Sequence, residues 1–221
     1  TIAKDKIVFQ VENANIALSK LSAEFEGKPA DKLPIIGITG TNGKTTITTL
    51  VESALTNAGW KIGRMGTLGA SIAGETYPLS RTTPNPPELH GLFSKMVEKK
   101  CTAAIMEVGS FGLRAYRVDD VGFHIGVFTN LTRDHLDVHK TMAVYAAAKA
   151  RLFQCLRPKG KFPRALLCAD DPSWKKMNPP KDRWTYGFDK YADLQLSKAK
   201  FTIQNSTAQL NTPFGSIVIN C

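Results

Sequence analysis

Apolar and polar positions follow two alternating rhythms along most of this chain. The run PIIGIT, residues 34–39, is almost wholly apolar and bounded by proline and glycine. Short runs of that kind suit strands buried on both faces of a parallel sheet. It is followed by a glycine- and threonine-rich turn and then by KTTITTLVESALTNAG, residues 44–59, a helical stretch with Gly59 as its stop. The alternation then repeats. ELHGLFSKMVEKKC (88–101) predicts a helix, TAAIMEV (102–108) and FHIGVFTNL (123–131) predict strands, and TMAVYAAAKARLFQCL (141–156) predicts an alanine-rich helix. RALLCAD (164–170) and RWTYGFD (183–189) predict two further strands. Ahead of this series, NANIALSKLSAEFEG (13–27) sets Ala14, Leu18, Leu21 and Phe25 at helical spacing, and a Gly/Pro linker follows. Residues 194–220 have no helical period and are rich in β-branched types, which predicts antiparallel strands. Helices alternating with apolar strands imply an α/β fold: a mainly parallel sheet with flanking helices, plus a small antiparallel sheet near the C-terminal end.

The chain's 221 residues allow one large domain, or one domain with pieces of neighbours. With 43% hydrophobic and 22% charged residues, the composition is that of an ordinary globular protein. No apolar run approaches the ~18 residues that would cross a membrane, and no signal pattern opens the sequence. Cys101, Cys155, Cys168 and Cys221 form no CxxC pair, which suits thiols in a reducing compartment and places the protein in the cytoplasm. The formal net charge is +10, but the basic residues are spread along the chain and no aromatic-interleaved RNA motif accompanies them. That argues against nucleic acid and for small anionic substrates such as nucleotides.

The sharpest chemical signal is Gly40-Thr41-Asn42-Gly43-Lys44-Thr45-Thr46, between a buried strand and a helix. Glycines let successive N–H groups face a phosphate, and the helix N-terminus adds partial positive charge. Lys44 can reach the β- and γ-phosphates, and the Thr45 hydroxyl can ligate Mg²⁺. The loop is the short GxxGKT form, with Ile38 where the longer pattern has its first glycine.

GTNGKTT is the form of this loop found in Mur ligases and their relatives. Three further segments agree: TTPNPPEL, MEVGSFGLRAYRV and VFTNLTRDHLDVHKTMAVYAAAKARLF. The last is specific, and through it the chain resembles the Mur ligases that add the third peptide residue to the UDP-linked peptidoglycan precursor. The resemblance covers roughly residues 20–220. It implies an ATP- and Mg²⁺-dependent amide-bond ligase acting on UDP-N-acetylmuramoyl-L-alanyl-D-glutamate and an amino acid, through an acyl phosphate. It further implies a monomer. Residues 1–33 would be the tail of a UDP-binding domain with a linker, and 34–221 the ATP-binding domain. An amino-acid-binding C-terminal domain would be lacking, leaving this stretch inactive alone. The alternatives are another ligase of the superfamily, of polyglutamate or pseudomurein type, or a nucleotide-binding module without turnover.

The site residues carry over position by position. Glu107 ends an apolar strand, where open α/β sheets place ligands. There it is a natural Mg²⁺ ligand or a solvated strand end. His135 would ligate a second Mg²⁺ by resemblance, although a lone histidine is more often structural. Asn130 would contact the nucleotide or orient its loop. Asp134, Asp137 and His139 could cap the next helix. Lys149 has small and apolar neighbours, and burial lowers a lysine pKa. The resemblance makes it a carbamylated lysine that helps to hold Mg²⁺. Lys44, Lys149 and His135 would then be the catalytic set. Thr82, Thr83, Ser110 and Arg117 would bind the acceptor substrate by resemblance, or else be ordinary polar residues facing water. Gly109 and Phe111 depart from the family's serine and histidine, which affects the substrate side of the site.

Overall fold

A computed structural model describes residues 8–158, 164–202 and 204–220. Cys221 and residues 1–7 of the expected N-terminal tail lie outside the described residues. The phosphate-loop strand β1 (Ile35–Thr39) leads into helix α2 (Lys44–Asn57), and helix α1 (Ala14–Phe25) precedes both. Next come β2 (Ile62–Gly66), β3 (Gly69–Ile72), β4 (Glu75–Tyr77) and helix α3 (Pro86–Glu98). They are followed by β5 (Ala103–Glu107), α4 (Ser110–Arg114), β6 (Ile125–Phe128), α5 (Leu136–His139) and α6 (Met142–Gln154). The remainder is strand: β7 (Ala165–Cys168), β8 (Arg183–Gly187), β9 (Leu194–Phe201), β10 (Ser206–Thr212) and β11 (Gly215–Asn220).

All of these strands join one sheet, in the order β11-β10-β9-β8-β7-β6-β1-β5-β2-β3-β4. The seven from β9 to β2 run parallel to one another. The expected antiparallel strands at the C-terminal end are β9–β11, and they continue the main sheet through the pairs Tyr186↔Leu194 and Gly187↔Gln195. A second antiparallel flap, β2–β3–β4, closes the opposite edge. Sequence pattern did not reveal it, because IGRMG carries two glycines and an arginine where a buried strand normally shows β-branched residues.

Alternation along the central strands builds a core on each face. Ile38, Ile105 and Ile62 meet Ile47, Val51 and Leu55 of α2. On the other face Ile35, Met106 and Phe128 pack with Phe93 of α3 and with Leu152 and Phe153 of α6. Each such side chain contributes roughly 1.5–3 kcal/mol by leaving water. Helix α1 forms as expected, capped by Asn13, whose side chain accepts from Asn15 and Ile16 N–H groups. Its orientation is different from the one the apolar spacing suggests. Leu18, Leu21 and Phe25 face solvent, Phe25 being 89% exposed, while Ser19, Ser22 and Ala23 are buried. The helix approaches α3 closely, which only small side chains permit. Ser22 satisfies its hydroxyl on the Leu18 carbonyl, and Glu26 accepts from Ser94 of α3.

The order of crossovers positions the site. After β1 the chain moves one way across the sheet to β2, and after β5 it moves the other way to β6. The carboxyl ends of β1, β5 and β6 therefore surround one crevice, where open parallel sheets hold ligands.

Candidate functional site

The loop after β1 carries its strain at glycines. Gly40 has φ +150° and Gly43 φ +86°. A Cβ on Gly40 would overlap the Thr129 side chain, so the loop can lie against β6 only with glycine there. The loop is then tied to the end of β6. Thr41 N–H donates to the Asn130 carbonyl at 2.9 Å, and Thr129 Oγ1 donates to the Asn42 carbonyl at 2.6 Å. Asn130 binds both backbone groups of Asn42, accepting from its N–H at 3.0 Å and donating to its carbonyl at 3.2 Å. These bonds tie Asn130 to the phosphate loop.

Two lysines converge on this loop. Lys44 Nζ donates to the carbonyls of Gly40 at 2.9 Å and Thr41 at 2.8 Å. Lys149 Nζ, only 1% exposed, donates to the same Gly40 carbonyl at 2.7 Å. The amine also stands 4.3 Å from the centroid of the Tyr145 ring. Burial, and then the charge of Lys44, hold the Lys149 pKa down to about 7 from 10.5. Lys44 is lowered too, chiefly by burial. The semi-burial expected from the alanine-rich helix is thus nearly complete.

Glu107, at the end of β5, is fully buried rather than a solvated strand end. Its carboxylate accepts from Thr45 Oγ1 at 3.0 Å, from Thr67 N–H at 2.8 Å and from Thr67 Oγ1 at 3.2 Å. Thr45 and Glu107 thus come together as two hard oxygen donors at the N-terminus of α2, a pair whose chemistry fits Mg²⁺. Among the described residues no group of three or more His, Cys, Asp or Glu side chains is close enough to hold a metal ion by itself. His135 is exposed, and neither hydrogen-bonds nor ion-pairs with Lys149. Both instead face Tyr145, the His135 ring at 6.1 Å between centroids.

On the acceptor side, Thr67 Oγ1 meets Thr82 Oγ1 at 3.1 Å. Thr83 is buried, and its hydroxyl is committed to the backbone, donating to the Glu107 carbonyl at 3.1 Å and accepting Gly109 N–H at 2.9 Å. Arg117 donates to the Thr83 carbonyl at 2.9 Å. Ser110 Oγ lies 2.9 Å from Nε2 of buried His139, whose pKa is lowered mainly by burial. None of Asp134, Asp137 and His139 caps α6: that helix is capped by Thr141, whose Oγ1 accepts Val144 N–H at 3.2 Å. The reason is positional, since α5 intervenes as a separate turn. Phe111 stands edge-on to His135, with ring centroids 5.2 Å apart.

These residues enclose a single cavity of about 700 Å³. Thr41 to Thr46, Thr82, Thr83, Ser110, Arg117, Glu107, His135 and Lys149 all line it. Gly40 and Asn130 do not line it and act from behind the loop. The cavity wall also includes Thr67, Arg81 and Tyr145, which sequence reading missed. Thr67 belongs to the unpredicted flap, and Tyr145 precedes Lys149 by one helical turn, a spacing that would have revealed it.

Residues 38–221 match the Mur ligase middle domain. A UDP-N-acetylmuramoyl-L-alanyl-D-glutamate–2,6-diaminopimelate ligase of Geobacter metallireducens is 37% identical over 213 residues, covering 94% of this chain and 42% of its own length. The ligase of the same name from Chlorobaculum tepidum is 49% identical over 162 residues, covering 73% of this chain and 31% of its own. A solved ligase of that name superposes with TM-score 0.80 at 28% identity, over 96% of this chain and 46% of the other. Mycobacterium tuberculosis folylpolyglutamate synthase shares the fold, with TM-score 0.72 at 17% identity, over 91% and 52%. The chain spans less than half the length of the two curated ligases it matches.

Proposed function

The chain belongs to the Mur ligase family, and from that premise we propose that it forms the ATP-binding core of a ligase adding the third amino acid to UDP-N-acetylmuramoyl-L-alanyl-D-glutamate. The observation that carries this reading is the single cavity that joins the phosphate loop and Lys149 to the Thr82–Thr83 segment. Nucleotide and acceptor would meet there. Residues 34–221 would be the ATP-binding domain and the preceding stretch a connection to a UDP-binding one. The protein would work in the cytoplasm as a monomer.

In the reaction, an acceptor carboxylate oxygen attacks the γ-phosphorus of ATP, and the bond to the bridging oxygen of ADP breaks. The amine of the incoming amino acid then displaces phosphate from the acyl phosphate and loses a proton. Positioning and charge neutralisation dominate such phosphoryl transfers. The loop N–H groups would cradle the phosphates. Lys44 would exchange its loop carbonyls for phosphate oxygens, losing nothing in hydrogen bonding while gaining a charged partner. Thr45, Glu107, His135 and a carbamylated Lys149 would hold Mg²⁺, which supplies charge neutralisation at the transferring phosphoryl group. The carbamate would form when the neutral Lys149 amine adds to CO₂ and releases a proton. It would keep one N–H, able to remain on the Gly40 carbonyl. Residues 40–45 and 129–132 would keep the loop rigid, while Thr82, Ser110 and Arg117 would orient the acceptor. Thr83 would do so through the backbone it pins.

The test uses the full-length protein with Mg-ATP, UDP-muramoyl-dipeptide and candidate amino acids. Phosphate release is expected only with both acceptor and amino acid present, and Lys44→Ala should reduce it by at least a hundredfold. Turnover with a polyglutamate acceptor and none with the UDP-linked dipeptide would move the protein to the other branch of the superfamily. Undiminished activity of Lys44→Ala would remove the phosphate-loop role.

A further inference from the structure

Helix α6 is bonded to the phosphate loop and to α4 at once. Lys149 donates to the Gly40 carbonyl at 2.7 Å, and the Tyr145 hydroxyl lies 3.2 Å from Thr41 Oγ1. Arg151 follows Lys149 by two residues, a step of about 200° around a helix, so the two side chains leave on nearly opposite faces. Arg151 is not among the residues that line the cavity. Its Nε donates to the Leu113 carbonyl at 2.9 Å, and its Nη2 donates to the two carboxylate oxygens of Asp119 at 3.0 and 2.9 Å. The guanidinium also lies over the Tyr116 ring, 4.2 Å from its centroid. One planar fork thus holds a helix-terminal carbonyl, a carboxylate and a ring face, a combination that a lysine cannot reproduce. The segment it grips ends α4 in an uncommon way. Tyr116 N–H donates to the Leu113 carbonyl at 3.2 Å and Arg117 N–H to the Gly112 carbonyl at 3.0 Å, the paired bonds of a Schellman cap. The left-handed position of such a cap normally holds glycine, but here it is Tyr116, with φ +56°. A bulky residue is strained there, and its ring is the one beneath Arg151. Ser110 opens α4 and Arg117 closes its cap.

We propose that Arg151 is a positioning residue that, with Asp119 and Tyr116, sets the spacing between α4 and the phosphate loop, α6 serving as the rigid spacer. Lys149 fixes α6 to Gly40, and Arg151 fixes α4 to α6. The role in turnover rests on the reading of Ser110 and Arg117 as acceptor contacts, whereas the clamp itself does not. If those two residues orient the acceptor, its approach to the γ-phosphorus depends on both attachments. A misplacement of about 1 Å in such a geometry can cost on the order of a hundredfold in rate. Loss of Arg151 would loosen α4 without releasing it. Its other side is held by α5, where Arg114 Nη1 donates to the Val138 carbonyl at 3.0 Å and Ser110 Oγ lies 2.9 Å from His139 Nε2. Variants at Arg151 are therefore expected to fold.

The test compares full-length wild type with Arg151→Met, Arg151→Lys and Asp119→Asn. Arg164→Gln is the control: it breaks a comparable pairing with both oxygens of Asp182, at the end of β7 away from the cavity. Hydrogen exchange over residues 110–117 reads the clamp without any ligand. Steady-state kinetics with Mg-ATP, UDP-muramoyl-dipeptide and amino acid read its effect on turnover, and calorimetry reads Mg-ATP affinity. Arg151→Met should speed exchange in α4 about tenfold and leave β5 unchanged. It should lower kcat at least tenfold and raise the acceptor KM severalfold, with Mg-ATP affinity unchanged. Arg151→Lys should recover only part of the loss, because it restores charge without the fork. Asp119→Asn should lose less, and should add little when combined with Arg151→Met. Arg164→Gln should leave kcat and KM as they are, whatever it costs in stability. Unchanged exchange over 110–117 in Arg151→Met overturns the clamp. Faster exchange with undiminished turnover overturns the positioning role. If the wild type does not turn over the UDP-linked dipeptide, the acceptor reading above falls, and faster α4 exchange in Arg151→Met then supports the clamp alone.

Discussion

Lys149 places a buried amine on the Gly40 carbonyl of the phosphate loop. In water a lysine is almost wholly protonated at neutral pH, and an ammonium cannot add to CO₂. With the pKa held down to about 7 by burial and by Lys44, the neutral amine is accessible at neutral pH. Asp134 opposes the shift weakly, and the Tyr145 ring face beside the amine favours its cationic form. Carbamate formation, followed by ¹³C NMR with labelled bicarbonate, should therefore be appreciable near pH 7 and fall steeply below pH 6. A lysine of ordinary pKa would show uptake only in alkaline solution. Lys149→Ala should abolish the signal and most ligase activity, and added short carboxylates should restore part of that activity. Near-full activity of Lys149→Ala would leave the lysine without a catalytic role. The sign of the linked stability is also determined. Between pH 7 and 10.5 the unfolded chain holds a proton that the folded chain has released. This group therefore makes folding more favourable as pH rises through that window, and the contribution is lost as pH falls through 7. Burial of this residue was legible in its alanine-rich surroundings. The convergence of Lys149 and Lys44 on one carbonyl was not, because it joins residues on separate elements.

At the scale of elements, α1 shows where periodicity stops being informative. Helical spacing identified the helix, but the apolar stripe at that spacing faces water and the serine–alanine stripe is buried. Interhelix distance decided this: a close crossing with α3 excludes Leu and Phe and accepts Ser and Ala. Phe25→Ser should accordingly change the stability of this chain by less than about 0.5 kcal/mol, as exposed positions do. Ala23→Leu should cost about 1–3 kcal/mol by overpacking. Thermal melts of the two variants distinguish the arrangements, and a large loss for Phe25→Ser would show that the stripe is buried after all. The β2–β4 flap shows the complementary case. Its strands are too short and glycine-rich to stand out, yet Thr67 at its turn supplies two of the three hydrogen bonds that hold Glu107.

At the scale of the whole molecule, three strand ends are wired together through one carboxylate that sequence reading passed over. Asp171, just after β7, accepts Leu131 N–H at 2.6 Å, and its other oxygen accepts Ser173 N–H at 2.8 Å. Leu131 follows Asn130, which holds Asn42 of the phosphate loop, and Thr132 N–H donates to Thr41 Oγ1 at 3.0 Å. Asp171→Ala should leave two N–H groups without partners, at a cost of about 1–3 kcal/mol each when shielded from water. It should also weaken Mg-ATP binding severalfold without touching the nucleotide. Chemical denaturation and calorimetry on the same variant measure the two effects, and unchanged ATP affinity would show that the loop holds its shape without this support. What the linear chain carried unaided was everything expressed within a few neighbours: the strand–loop–helix of GTNGKTT, the parallel α/β alternation, the antiparallel C-terminal strands and the family to which the chain belongs. The elements follow from local periodicity and from backbone conformations that only glycine adopts readily, and the family from the resemblance of specific motifs such as VFTNLTRDHLDVHKTMAVYAAAKARLF. Folding alone decided which face of α1 is buried, that a flap closes the far edge of the sheet, and that Asn130 is tied to the backbone of Asn42. Each depends on how closely two distant segments approach, and distance between segments is set by the packing of the whole sheet rather than by the residues at either end.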